Sequence, residues 1–232
     1  MTMPRLGLTT TRDRIAQLAG LAERQGLVPV PLTCISIVMS ATEKLERARA
    51  DASEADWIVI TSSRAVEAVW PEGEMPDIPV AAVGSVTASA VRDAGGKVSV
   101  VGDLGSSDLV AKIRSTAAGR RVFFPHAATA NVSALRSLLG ADAEVSAMAV
   151  YETRPVAPPE DPVDAVIFGS PSAVAGWFLT RSVTNLVVGA IGETTRAAIV
   201  ERGHDADFVP ARPDFAQLVA LLGDHLRERS PT

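Results

Sequence analysis

Asp56-Trp-Ile-Val-Ile-Thr-Ser62-Ser-Arg-Ala-Val66 is matched 108 residues later by Asp164-Ala-Val-Ile-Phe-Gly-Ser170-Pro-Ser-Ala-Val174. The register holds beyond the motif. Val80-Ala-Ala-Val-Gly84-Ser-Val-Thr87-Ala-Ser-Ala90 falls on Val188-Gly-Ala-Ile-Gly192-Glu-Thr-Thr195-Arg-Ala-Ala198, and Gly95 falls on Gly203. Of the forty positions from 56 to 95, ten are identical to their partners (56, 62, 65, 66, 80, 82, 84, 87, 90 and 95), and nearly half of the others exchange one apolar residue for another. A repeat this long exceeds the 20–50-residue periods of stacked arrays, so it predicts two similar domains. Two domains imply a cleft, the usual place for a small-molecule site.

The repeated runs also decide the fold class. Trp57-Ile-Val-Ile60 is apolar at consecutive positions instead of alternate ones, as a parallel strand covered by helices on both faces requires. Comparable runs predict strands near 5–9, 57–60, 79–83, 98–101, 121–124, 144–149, 165–168, 186–191 and 207–209. Between them, apolar spacings of three and four predict helices near 13–25, 42–52, 64–70, 86–94, 107–115, 130–139, 171–180, 194–202 and 214–228. Asp13 suits a helix start and Gly26 a helix stop. Pro29 and Pro31 keep 27–33 extended. The expected class is α/β, with two doubly wound parallel-sheet domains. Tyr151-Glu-Thr-Arg-Pro-Val-Ala-Pro-Pro-Glu-Asp-Pro162 is the most proline-dense stretch and the best linker candidate. A second crossing is expected at Thr33–Val38, and the residues alone leave open which domain takes the first strand and helix.

Composition narrows the function. The 232 residues are 47% hydrophobic and 21% charged, an ordinary globular balance, and only Arg229–Thr232 reads as a tail. A net charge of −5 without a basic stripe argues against nucleic acid as a partner. The single cysteine, Cys34, excludes an internal disulfide. The start lacks a signal-peptide core and no apolar run approaches twenty residues, so a cytoplasmic protein away from membranes is expected.

Small polar residues follow the repeated strands. Pro171 marks a first helical position, which makes Ser170, and by the repeat Ser62, helix N-caps. Gly84 and Gly192 end strands, with Thr87 and Thr195 in the next helical turn. Such residues serve as caps and turns in any α/β protein. Their repetition adds a second meaning, because open α/β sheets bind ligands beyond the carboxyl ends of their strands, where helix N-termini attract anions. A polycarboxylate would suit these ends. His126, after the 121–124 strand, is a candidate for substrate contact. Tyr151, the only tyrosine, either packs at the strand end or donates toward the cleft. The three histidines are far apart and Cys34 reads as a small apolar residue, so no metal site is expected; neither a phosphate-binding loop nor a dinucleotide fingerprint is present.

The ordered motifs Ala55–Val66, Ala81–Ala88, Val150–Thr153, Asp164–Ser172, Ala190–Thr195 and Pro213–Leu218 resemble the uroporphyrinogen-III synthase family across nearly the whole chain. The resemblance implies two flavodoxin-like domains joined by a two-stranded connector. Residues 1–32 with 155–232 would form one domain and 39–149 the other, with connectors at 33–38 and 150–154. It implies an enzyme that converts the linear tetrapyrrole hydroxymethylbilane to uroporphyrinogen III, expelling water and inverting the last pyrrole, without metal or organic cofactor. The enzyme would act as a monomer, with the hydroxymethylbilane-forming enzyme as a candidate partner. Substrate binding would fall to Ser62, Arg64, Thr87, His126, Ser170, Ser172, Thr194 and Thr195, and assistance to the departing hydroxyl to Tyr151. Two positions depart from the family pattern: Thr10 stands where an arginine is frequent, and Val187 where a lysine is. A non-catalytic two-lobed binding or regulatory protein is the rival reading.

Overall fold

A computed structural model describes residues 3–228 apart from Leu104; the expected tail at 229–232 lies outside the described residues. The chain order is β1 (Arg5–Leu8), α1 (Arg12–Arg24), β2 (Val28–Pro31), β3 (Ile35–Met39), α2 (Thr42–Ser53), β4 (Trp57–Ile60), α3 (Ser63–Val69), β5 (Pro79–Val83), α4 (Gly84–Asp93), β6 (Lys97–Gly102), α5 (Ser106–Ala117), β7 (Arg121–Ala127), α6 (Val132–Leu139), β8 (Glu144–Pro155), β9 (Ala165–Phe168), α7 (Pro171–Trp177), β10 (Val187–Ala190), α8 (Glu193–Val200) and α9 (Phe215–Glu228). The predicted strand at 207–209 is reduced to one parallel bridge, Gly189 to Phe208, beyond β10.

These elements form two compact units, Met1–Ile37 with Thr153–Thr232, and Val38–Glu152. In the first, the strand order is β10-β9-β1-β2, all parallel. The first strand and helix thus belong with the C-terminal half. In the second, the order is β3-β8-β7-β4-β5-β6, and β4 to β8 are mutually parallel.

Neighbouring strand residues bury opposite faces, as the two-residue period of a strand dictates. In the first unit, Ala165 and Ile167 of β9 join Leu6, Leu8, Ile15, Leu18, Leu218 and Leu222, beneath α1 and α9. Val166 and Phe168 point the other way and meet Leu32, Trp177 and Ile199, beneath α7 and α8. In the second unit, Val59, Ala81, Val122 and Phe124 pack under α5 and α6 with Leu109, Ile113, Leu135 and Leu139. The fully buried Ile58, Ile60, Val80 and Phe123 occupy intervening positions. Both faces being apolar explains the unbroken hydrophobic runs.

The two units are the same sheet with the chain cut at different places. The 108-residue shift lays β4 on β9 and β5 on β10. The strand beside β9 is β1, pairing Leu6 with Ala165; the strand beside β4 is β7, pairing Val122 with Trp57. Since Trp57 and Ala165 are equivalent, so are Val122 and Leu6, an offset of 116. The next strands keep that offset, Arg5 facing Val28 and Arg121 facing Glu144. Even the closing bonds repeat. The Arg5 amide donates to Asp164 Oδ2 at 2.7 Å, and the Arg121 amide to Asp56 Oδ2 at 2.8 Å. The Asp56/Asp164 identity therefore clasps the amino end of each sheet, opposite the carboxyl ends of its strands.

One expectation needs correction. The proline-dense stretch does not begin as a linker: β8 continues from Glu144 to Pro155, past Tyr151. A parallel neighbour explains the extension, because β7 also runs longer than predicted and pairs Ala127 with Tyr151.

Candidate functional site

In unit two, four predicted binding residues and Tyr151 lie at the carboxyl ends of the neighbouring strands β5, β4, β7 and β8. Ser62 follows β4 as the N-cap of α3, accepting from the Arg64 amide at 3.3 Å. A capping hydroxyl satisfies one of the orphan amides of a first turn and still exposes a lone pair and a proton. Arg64 is half-buried, with its guanidinium 2.6 Å from Glu67, so much of its charge is already matched. Thr87 is buried in the first turn of α4.

His126 lies within β7, not after it, and is 7% exposed. Its ring is 5.0 Å from that of Phe124, and Nδ1 is 2.7 Å from the Ala127 carbonyl oxygen. A carbonyl can only accept, so Nδ1 carries the proton and Nε2 is the nitrogen free for another partner. Immediately beyond it the β7–β8 register shifts, and this irregularity sets Tyr151 opposite Ala127. Tyr151 is also 7% exposed, and its carbonyl accepts from the Ala128 amide at 2.8 Å. A tyrosine held by strand bonds on a buried ring has little rotational freedom, which suits a donor that must be aimed.

The first unit carries the matching set. Ser170 caps α7, accepting from the Ala173 amide at 3.2 Å, with Pro171 at the first helical position as predicted. Ser172 is half-buried in that turn, Thr194 is exposed and Thr195 is buried, both in the first turn of α8. Gly84 and Gly192 are equivalent in sequence but not in conformation. Gly84 has φ +75°, where a side chain would be strained, whereas Gly192 is extended at φ −177° and could be any residue in that respect.

The sequence reading missed Thr9, Thr10 and Thr11 as a group. All three are buried at the carboxyl end of β1. Three hydroxyls in a row after an apolar strand were the available signal. With them, the buried polar side chains of the described residues are Thr9, Thr10, Thr11, Thr87, His126 and Thr195, and every one stands at or just beyond the carboxyl end of a strand. Burying a polar group costs free energy unless it is partnered, so such a distribution marks these ends as places for a polar ligand.

Other candidates fall away. Burial pushes the Cys34 thiol up to about 12, a shift that nearby Arg181 only partly opposes, so it stays protonated and unreactive. His225 is partly buried with its ring 5.2 Å from Phe208, a packing contact. Surface hollows lie elsewhere: one of 540 Å³ includes Val66, Trp70 and Gly73, and one of 190 Å³ includes Asp51, Arg121 and Glu144. Neither contains a predicted site residue. The strand ends of each unit present a polar rim instead. Among the described residues, no cluster of three His, Cys, Asp or Glu could hold a metal ion, and no helix is long and apolar enough to cross a membrane.

The family model for uroporphyrinogen-III synthase HemD matches residues 16–220. Among solved structures, uroporphyrinogen-III synthetase from Helicobacter pylori is similar with a TM-score of 0.67 at 17% identity, over 98% of this chain and 100% of that one. A mutant uroporphyrinogen III synthase from the extremely thermophilic bacterium Thermus thermophilus gives 0.62 at 19% identity, over 97% and 100%. At these identities the likeness shows the fold. No curated protein matches the chain.

Proposed function

The chain belongs to the uroporphyrinogen-III synthase family, and from that premise we propose which of its residues hold the linear tetrapyrrole and assist its closure. The reaction breaks the C–O bond of the terminal hydroxymethyl group; the hydroxyl takes up a proton and leaves as water. The adjacent pyrrole nitrogen supplies electron density to the resulting methylene, and a new C–C bond forms to the already substituted α-carbon of the last pyrrole. The bridge bond previously on that carbon breaks and re-forms at the free α-carbon, and the proton lost from the latter restores the pyrrole, now inverted. What the protein must contribute is orientation and hydrogen bonds, because spontaneous closure gives the uninverted type I product.

The observation that carries the assignment is the confinement of buried polar side chains to the carboxyl ends of the strands. Hydroxyls and backbone N–H groups hold carboxylates without many lysines, so a net charge of −5 is compatible with a substrate bearing eight carboxylates. In this reading Ser62, Thr87 and His126 in one unit, and Ser170, Ser172, Thr194 and Thr195 in the other, receive those carboxylates. Arg64, ion-paired with Glu67 in the first turn of α3, stands beside Ser62 as the cationic member of this set.

Tyr151 is the donor to the departing hydroxyl. Its ring is buried and its backbone is tied to β7, so the phenol is presented from a fixed position. Donation to a leaving oxygen is general-acid assistance, commonly worth about a hundredfold or more. An electron-rich pyrrole already expels hydroxide readily, so the gain here is expected below that figure.

The test is to supply purified protein with fresh hydroxymethylbilane and separate the oxidised products. Type III should dominate, and a mixture identical to the protein-free control would overturn the reading. Tyr151→Phe should lower kcat while leaving the melting temperature in place. Unchanged turnover would return Tyr151 to a packing role.

A further inference from the structure

Thr9, Thr10 and Thr11 are consecutive and buried, yet they are not equally occupied. The Thr9 hydroxyl donates to the Ile167 carbonyl at 2.7 Å, tying β1 to β9 where the strand order reverses. Thr11 is the N-cap residue of α1, and its carbonyl accepts from the Arg14 and Ile15 amides at 3.1 and 3.0 Å. Both serve the fold. Among the described residues no hydrogen bond engages the Thr10 hydroxyl, although Thr10 is only 8% exposed. The buried side-chain nitrogen or oxygen without a partner among those residues is Trp177 Nε1, so the Thr10 hydroxyl, on an otherwise buried side chain, still reaches solvent and is open to a ligand.

The sheet pairing gives Thr10 a counterpart. The offset of 116 that carries Leu6 to Val122 and Arg5 to Arg121 carries Thr10 to His126, another buried polar side chain, 7% exposed, at the carboxyl end of the matching strand. Each strand borders the point where its sheet reverses order, where open α/β sheets take their ligands. We propose that Thr10 is a substrate-binding residue whose hydroxyl donates to a carboxylate of the tetrapyrrole, in the first unit as His126 does in the second. This rests on the functional reading above and extends it to a position where arginine is frequent in the family. A hydroxyl supplies one neutral donor there, so Thr10 contributes direction with little charge.

Thr10→Val, Thr10→Ser and Thr9→Val should be compared in the full-length protein for KM, kcat, product isomer and melting temperature. Thr10→Val should raise KM for hydroxymethylbilane roughly tenfold, the usual scale for losing a hydrogen bond to a charged group. Its melting temperature should not fall, and Thr10→Ser should restore KM. Thr9→Val should instead lower the melting temperature. If Thr10→Val is unstable, Thr10→Ala is read in its place. A wild-type KM in the folded valine or alanine variant, or a raised KM that Thr10→Ser does not restore, overturns the assignment. Failure of the wild-type protein to form the type III isomer would overturn the enzymatic reading instead, so the two failures are distinguishable.

Discussion

Asp164 holds the Arg5 amide in one unit as Asp56 holds the Arg121 amide in the other, yet one step past the matching strands Thr10 stands where the other unit has His126. At their amino ends the two sheets keep the same residues in the same bonds. At their carboxyl ends they keep Ser62 with Ser170 and Thr87 with Thr195 but change the group between Thr10 and His126. The amino end has one task, closing a parallel sheet, and each copy performs it alone. Under the proposed function the carboxyl ends of the two copies would meet different parts of an asymmetric linear substrate, which would let Thr10 and His126 differ.

The comparison can be broken most severely at a third pair of positions. Gly176 in α7 and Ala68 in α3 are equivalent under the 108-residue shift. A Cβ on Gly176 would overlap the Cys34 carbonyl oxygen and come within 2.7 Å of that of Val156. Those neighbours are backbone, joined by the Val156 amide donating to Cys34 O at 2.8 Å, and cannot move aside cheaply. Gly176→Ala should therefore cost roughly 3 kcal/mol or more. Ala68→Gly should cost about 1 kcal/mol, the helical penalty of glycine. Denaturant unfolding of both variants checks this, and equal losses would show that the close approach does not constrain the first unit.

The aspartate clasp is the next test. Asp56→Ala and Asp164→Ala each remove one acceptor from a strand amide, so each should lose about 1 kcal/mol or less by the same measurement. Neither should alter KM. A changed KM for one of them alone would mean that the amino ends are less alike than their bonds suggest.

The smallest effect concerns a bond without a counterpart. Arg196 grips Asp205 with two bonds of 2.8 and 2.9 Å, while the equivalent positions in the other unit are Ala88 and Lys97. The hydrogen bonds from Arg196, helped by the Ala206 amide, lower the Asp205 carboxyl to about 2. A carboxyl whose folded value is depressed contributes stability above its ordinary pKa, near 4, and loses it as pH falls through about 2. The pair is exposed, so the effect on unfolding is small and is better read by NMR titration of the Asp205 carboxyl. A midpoint near 4 would remove the pair from the account.

Much of this architecture was legible because it is local. The apolar runs of β4 and β9, the Ser62 and Ser170 caps and the Pro171 start depend on residues within a few positions, and strand and helix periods report them directly. The 108-residue repeat was equally plain. Less legible were Tyr151, read as the edge of a linker, and His126, read as lying beyond its strand. Both sit in strands that extend because a parallel neighbour pairs with them, and no nearby residue announces that neighbour. The Thr9–Thr11 group went unread because its importance lies in burial, and burial of a hydroxyl depends on what packs over it.

By itself the sequence determined that two similar α/β units exist, where their strands and helices lie, and which hydroxyls stand at strand ends, since these follow from short-range periodicity and from duplication. That residues 1–32 join the C-terminal half was implied only by the family resemblance, and tertiary structure decided that β1 and β2 complete the sheet of β9 and β10, and so that Thr10 answers to His126. Between residues 5–31 and 121–147 the match is geometric with little residue identity, because backbone hydrogen bonds, not side chains, choose a strand's neighbours.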